Sequence, residues 1–472
     1  DIFMCSRIND KRAIEMNSIT GRVLTHFLVK NFKSIGEDGV LLELKPVTLL
    51  FGPQGSGKSA ILEALWRVCE IISKQEEISH ISYIEPTCSY EDLVHKHEIH
   101  RKLELGIYTQ INQNIYGWKI SYWVDRETGN DMAEQYVTLV EEEDPEKFKE
   151  KIILGIRRKR VNEVGFRDVI VTSDKGIRKE FDELTSGYSV TGLKDHVFKI
   201  SALPGHERQL TADILQREEE SQKIIRTIYT KLKGNHVEKF ALLSPLRGDI
   251  PSETDVSMRM RYDNELKPLD PRGRNLIPFL SCIREYPGYS KYWSYIVRWS
   301  EFLGLADLRA GYTGIANKLT SEFKDSKMDT VIKLSHGSYG ARQALSICAQ
   351  LFSPTQNLIM IEEPEISLHP ETVAELPLMF YEALKLGKQI IATTHSPILP
   401  LAIPRLVTKA KEEGLCTDPN ELIAVYEVYK DRRGTSVKKL RLNERGYIIG
   451  YIESFLRVER QLLEEWEKGL PE

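Results

Sequence analysis

The chain has few cysteines for its 472 residues. Cys5, Cys69, Cys88, Cys282, Cys348 and Cys416 are scattered, and no two form a C-x-x-C pair. Isolated thiols in apolar surroundings argue against a disulfide framework and against a Cys₄ zinc site, and they predict a reducing, cytoplasmic setting. No apolar run approaches the ~18–20 residues of a membrane-spanning helix, so a soluble chain without a membrane partner is expected. Residues 1–15 are mixed and charged, lacking the apolar core of a secretory signal. A net charge of −4 exerts no global pull on nucleic acid, although a local basic groove is compatible with it. There is no internal repeat, no sustained a/d heptad and no Asp-x-Asp anywhere. What remains is an ordinary globular composition, 41% hydrophobic and 28% charged, long enough for two or three domain-sized units.

Against that background one stretch stands out: Gly52-Pro53-Gln54-Gly55-Ser56-Gly57-Lys58-Ser59. It follows an apolar run, Val47 to Phe51, and leads through Ala60 into a helix-like segment ending near Trp66. Strand, Gly-rich loop and helix is the context that G-x-x-x-x-G-K-[ST] requires. Glycines let main-chain amides curve around phosphate, and the helix N-terminus adds partial positive charge. Lys58 would reach the β- and γ-phosphates, and the Ser59 hydroxyl would face Mg²⁺. ATP and Mg²⁺ are the expected cofactors.

Around this loop, Val23 to Phe32 and Val40 to Leu44 read as strands. Arg101 to Gln110 and Tyr116 to Val124 read as a hairpin in an antiparallel sheet. Glu141 to Arg160 is charged, first acidic and then basic, and reads as a solvated helix and loop, or as a partner arm or nucleic-acid contact. Gln209 to Lys233 reads as a second charged helical segment. Ala241 to Arg247 looks like a buried strand entering a loop. Phe279 to Leu305 reads as helical; its Tyr289, Tyr292, Tyr295, Trp293 and Trp299 could stack bases, but their helical spacing suits packing. His95, His97 and His100 are clustered, which leaves metal ligation or plain strand spacing open.

The second half carries further chemistry. Leu334-Ser335-His336-Gly337-Ser338 is a Ser-Gly turn ahead of an amphipathic helix, an anion-binding geometry. Leu358 to Ile361 is a buried strand ending in Glu362-Glu363. One carboxylate there would hold the metal shell (Glu362) and the next would orient attacking water (Glu363). After Ser367-Leu368-His369-Pro370 comes a helix, Thr372 to Leu386, ended by Gly387. A strand from Gln389 then closes on His395, placed to touch a γ-phosphate.

This ordered set resembles the heads of ABC-class ATPases of the RecF/SMC/OLD branch. The residues carrying the resemblance are NFKSI at Asn31 to Ile35, FGPQGSGKSAILEAL, IEEPEISLHP and ATTHSP. The tail RLNERGYIIGYIESF, Arg441 to Phe455, is similar to a group of bacterial and archaeal predicted ATPases with a C-terminal domain of unknown function. The resemblance implies an α/β fold: a central, mainly parallel sheet, an antiparallel β lobe and a helical subdomain. Expected boundaries are 17–250 for an N-terminal ATPase lobe (charged insertion at about 141–235), 251–330 for the helical subdomain, and 331–472 for a C-terminal ATPase lobe. It also implies a head-to-head homodimer with ATP between one phosphate loop and the other copy's Ser335 and Gly337. Ser367 would lie at that interface, His395 would be the switch histidine, and Lys33 and Ser34 would touch the nucleotide.

The chain departs from the branch in three ways: LSHGS replaces LSGGQ, no glutamine marks the loop near Leu246-Arg247, and neither coiled coil nor zinc hook separates the halves. Lacking Asp-x-Asp, with 77 residues after His395, it is not expected to carry a TOPRIM nuclease. The leading expectation is an ATP-driven switch in DNA repair or anti-phage defence, acting on DNA or on a separately encoded nuclease or effector. A nucleotide-gated scaffold with little turnover is the alternative. A P-loop kinase is disfavoured by the Ser-Gly turn and His395.

Overall fold

A computed structural model describes residues 24–74, 89–143 and 147–171 apart from 112, 128, 130 and 163–164. It further describes 188–191, 199–202, 239–255, 266–312, 318–325, 328–449 and 453–469. In chain order the strands and longer helices begin with β1 (His26–Lys30), β2 (Val40–Glu43), β3 (Val47–Phe51) and α1 (Lys58–Lys74). Next come β4 (Leu103–Ile111), β5 (Asn114–Val124), β6 (Asp131–Glu142), β7 (Lys149–Asn162) and β8 (Gly165–Val171). β9 (Tyr188–Thr191), β10 (Lys199–Ala202), β11 (Phe240–Leu243) and β12 (Thr254–Asp255) lead to α2 (Leu276–Glu285) and α3 (Ser290–Phe302). β13 (Leu305–Tyr312), β14 (Lys318–Asp325), β15 (Thr330–Lys333), α4 (Tyr339–Leu351), β16 (Leu358–Glu362), α5 (Pro370–Leu384) and β17 (Gln389–Thr394) follow. The chain closes with α6 (Ile403–Glu412), β18 (Ile423–Lys430), β19 (Thr435–Leu442), β20 (Ile448–Ile449) and α7 (Glu453–Lys468).

The central sheet has the order β11-β16-β17-β3-β18-β19-β20. Its first five strands are parallel, and β19 returns antiparallel. Strands sandwiched between helices read as continuous apolar runs, and β3 (VTLLF) and β17 (QIIATT) are buried at every position. Each fully buried Leu, Ile or Phe here contributes about 1.5–3 kcal/mol. Parallel register matters most for function, because the loops after β3, β16 and β17 all emerge at one sheet edge. In open α/β sheets that carboxyl edge is where ligands bind.

The antiparallel lobe, β2-β1-β4-β5-β6-β7-β8, extends the expected hairpin into seven strands. Residues 149–162, expected as solvated helix and loop, form β7 instead. Ile152, Ile153, Leu154 and Ile156 supply strand-forming content, and both edges of β7 are paired, to β6 and to β8. Two of its charges are answered locally: Lys149 pairs with Glu141 at 3.3 Å, and Glu150 accepts from Tyr108 at 2.7 Å. The charged segment 209–233 lies outside the described residues.

Segment 251–330, expected to be helical, is mixed. Pro287 and Gly288 break the helical stretch into α2 and α3, and α3 ends before Leu305. β13 and β14 then form an antiparallel pair, with β14 alternating buried and half-buried positions. Period-two alternation in KLTSEFKD is the signal that outweighs a helical reading. Most aromatics of α3 pack against the core, Phe302 being exposed: Trp299 is buried, and Tyr295 stacks on Phe352 with centroids 5.0 Å apart. Among the described residues no helix is long and apolar enough to cross a membrane.

Candidate functional site

The phosphate-loop sequence emerges from buried β3 and turns into α1, as its spacing demands. Three glycines are obligatory for different reasons. Gly55 and Gly57 have φ of 74° and 106°, where a Cβ would strain the chain. A Cβ on Gly52 would lie 2.2 Å from the Val428 carbonyl oxygen, and one on Gly57 would lie 2.0 Å from Thr435 Oγ1. Thr435, at the start of β19, clamps the loop from outside. Its hydroxyl bridges Ser34 Oγ at 2.8 Å and the Ser56 carbonyl at 3.0 Å. Pro53, Gln54 and Gly55 face solvent, Ser56 is buried, and Ala60 is half-buried in the first turn of α1.

Lys58 is only 4% exposed, and its ammonium donates to the carbonyls of Gly52 (2.8 Å) and Pro53 (2.9 Å). It also lies 3.3 Å from His395 Nδ1. An ammonium has no acceptor, so Nδ1 accepts and the ring proton sits on Nε2. Nε2 in turn faces Glu363 Oε1 at 2.9 Å, giving the continuous array Lys58–His395–Glu363. Burial pulls the Lys58 pKa down to about 8, with Glu363 and Glu365 opposing it.

Glu362 ends β16, and burial raises its pKa, although a hydrogen bond from Ser59 acts against the rise and neighbouring Glu363 adds to it. Glu363 begins the following turn at φ 44°, held by its amide donating to the Thr393 carbonyl at 3.0 Å. Glu365 fastens the end of β17: its Oε1 accepts from Thr394 Oγ1 (2.8 Å), the His395 amide (2.7 Å) and the Ser396 amide (3.1 Å). Three strand ends thus deliver Lys58, Ser59, Glu362, Glu363 and His395 to one place.

Ser335 and Gly337 lie in the turn before α4, whose N-cap Ser338 accepts from the Ala341 amide. Gly337 packs against Phe323, and Gly340 has room for no Cβ because the Ser367 carbonyl would be 2.3 Å away. Ser367, at φ 60°, therefore abuts the start of α4 in the same chain. Ser335 Oγ is buried without a hydrogen-bond partner among the described residues. Lys33 pairs with Glu63 of α1 beside the loop, and Ser34 is engaged by Thr435.

The clustered histidines do not converge. His95 Nδ1 bonds the Lys33 carbonyl, His97 Nδ1 that of Glu91, and His100 Nδ1 that of Val124. Three further residues shape the site: Thr435, Glu365 and Arg247. Glu365 had a signal, standing two residues after the paired carboxylates; the loop of Arg247 was singled out only as the place for a glutamine, and Thr435 is joined to the site only by folding.

A family model described as an AAA ATPase domain matches residues 23–399, most of the chain. The chain belongs to this family. ATPase activity in general follows, and the expectation of a P-loop ATPase is borne out. Solved structures similar to this AAA ATPase include the SMC head domain from Thermotoga maritima, 13% identical, covering 89% of this chain and 99% of that one at a TM-score of 0.36. An Smc head domain with an extended coiled coil, bound to the C-terminal domain of ScpA derived from Pyrococcus furiosus, is 13% identical. That likeness covers 94% of this chain and 99% of that one at a TM-score of 0.38. No curated protein matches the chain.

Proposed function

We propose that this AAA ATPase is magnesium-dependent and closes its nucleotide between two copies, so that closure works as a switch on DNA or on a separately encoded nuclease or effector. DNA repair or anti-phage defence is the setting that suits such a switch. The observation carrying the reading is the meeting of Lys58, His395 and Glu363 with Ser59 and Glu362 at adjacent strand ends. In this arrangement 17–250 and 331–472 are the two lobes of one head, with 251–330 between them.

Ser59 and Glu362 would hold Mg²⁺: a hydroxyl and a carboxylate near enough to influence one another are a hard-oxygen donor pair that fits this ion. When bound, the ion neutralises charge on the β- and γ-phosphates. The protein's own groups do the rest. Loop amides and the Lys58 ammonium, exchanging its carbonyl partners for phosphate oxygens, hold ATP in place. Glu363 holds a water in line with the γ-phosphorus. The new P–O bond forms as the bridging bond to the β-phosphate breaks, ADP departs, and the water proton passes to Glu363. His395 keeps that carboxylate oriented through Nε2–H. Ser335 and Gly337 of a second copy complete the site, which would give the buried Ser335 hydroxyl its partner.

Glu363→Gln should retain ATP while lowering turnover about 10²–10³-fold, or about 3–4 kcal/mol of barrier. Steady-state phosphate release checks this, and turnover equal to wild type would overturn the assignment.

A further inference from the structure

We infer that Arg247 is a positioning residue that fixes the main chain bearing Glu362 and Glu363 and ties it to the helix after the Ser-Gly turn. β11 runs parallel to β16, with Leu243 opposite Ile361, so the loop after β11 arrives beside the end of β16. There Arg247 is fully buried. Its Nη1 donates to the carbonyls of Ser244 (2.8 Å) and Glu362 (2.7 Å), and its Nη2 to that of Glu363 (2.9 Å). A planar fork thus grips two consecutive carbonyls, those of the two residues expected to hold metal and water.

The grip matters because Glu363 sits at φ 44°, a conformation a residue with a Cβ keeps only when its surroundings impose it. Buried charge is tolerated there because Glu365, Glu363 and Glu362 offset it. The same loop also reaches α4. The Gly248 carbonyl accepts from Arg342 Nη1 at 2.9 Å, and Arg342 lies over the Tyr339 ring at 5.3 Å. Tyr339 is the first residue of α4. A shift of the Ser-Gly turn therefore reaches Glu363 through Arg342, Gly248 and Arg247. Where a glutamine was expected, this loop uses a guanidinium that holds backbone.

The inference rests on the reading of Glu363 given above, and a double-mutant cycle separates the two. Arg247→Met and Arg247→Lys are each made alone and combined with Glu363→Gln. Single-turnover ATP hydrolysis and ATP affinity are then measured on the same preparations. Arg247→Met should slow hydrolysis about 30–100-fold with affinity unchanged within about twofold. Arg247→Lys should recover part of the rate, since an ammonium lacks the fork. In the Glu363→Gln background Arg247→Met should cost less than about twofold more, because it acts through a carboxylate already removed.

An unchanged rate, an affinity loss as large as the rate loss, or equal rate losses in both backgrounds would each overturn the role. If Arg247→Met lacks a cooperative melt, Arg247→Lys is judged by the same criteria. Wild-type turnover by Glu363→Gln alone would sink the assignment of Glu363, and this role of Arg247 with it.

Discussion

The Lys58 ammonium should make ATP binding depend on pH in a window set by its burial. Burial lowers its pKa in the folded chain to about 8, from the 10.5 usual for a lysine. Below pH 8 the group is charged and ready for phosphate; above it the free protein has lost the charge and must regain a proton to bind. The charged fraction falls from about nine-tenths at pH 7 to about one-tenth at pH 9, so affinity should weaken about tenfold. Titration calorimetry at pH 9 in buffers of different ionisation enthalpy should register uptake of about 0.9 proton per ATP, and about 0.1 at pH 7. Stability responds in the opposite direction. Between pH 8 and 10.5 the unfolded chain binds more protons at this residue, so folding stability rises with pH across that window. A dissociation constant independent of pH, with no proton uptake at pH 9, would refute the reasoning.

Gly57→Ala should abolish ATP binding with the fold retained, since its Cβ would meet Thr435 Oγ1 at 2.0 Å; a dissociation constant within threefold of wild type, roughly 0.6 kcal/mol, would contradict this. Thr435→Val removes one hydrogen bond to the loop, at Ser56, and one to Ser34, and should weaken ATP binding by about 1–2 kcal/mol, with Thr435→Ser restoring most of it in an equilibrium titration. Lys388, 1% exposed, has its pKa lowered to about 7 mainly by burial and further by Lys239. The unfolded chain binds more protons there between pH 7 and 10.5, so that lysine's contribution to stability rises with pH. Denaturant titrations of wild type and Lys388→Met should therefore diverge by about 2–3 kcal/mol in favour of wild type between pH 7 and 9. A constant difference would contradict the lowered pKa.

Much of the site was legible because its chemistry is local in sequence. Gly52 to Ser59, Glu362-Glu363 and His395 each stand directly at a strand end, where an apolar run stops and a polar group begins. Only the sheet shows that these strand ends are neighbours, through the β16-β17-β3 order. The supporting residues were less readable. Thr435 grips Ser56 from 379 positions away, and Arg247 reaches Glu363 across 116, distances over which composition and periodicity carry no information. Charge content hid β7, because a strand paired on both edges can carry a lysine such as Lys149 when a neighbour such as Glu141 answers it. The histidines misled for the converse reason: spacing brought them together in sequence, while the backbone sent each ring to a different carbonyl.

The central claim is that ATP is held between two copies, one contributing the loop with Lys58 and the other the turn with Ser335. The most direct measurement is the solution mass of Glu363→Gln with ATP and Mg²⁺, alongside the same protein carrying Ser335→Arg. The account predicts twice the 54.3 kDa of one chain for Glu363→Gln, and a single chain's mass once Ser335→Arg is added. A single chain's mass for Glu363→Gln with ATP bound, or a dimer indifferent to Ser335→Arg, would contradict it.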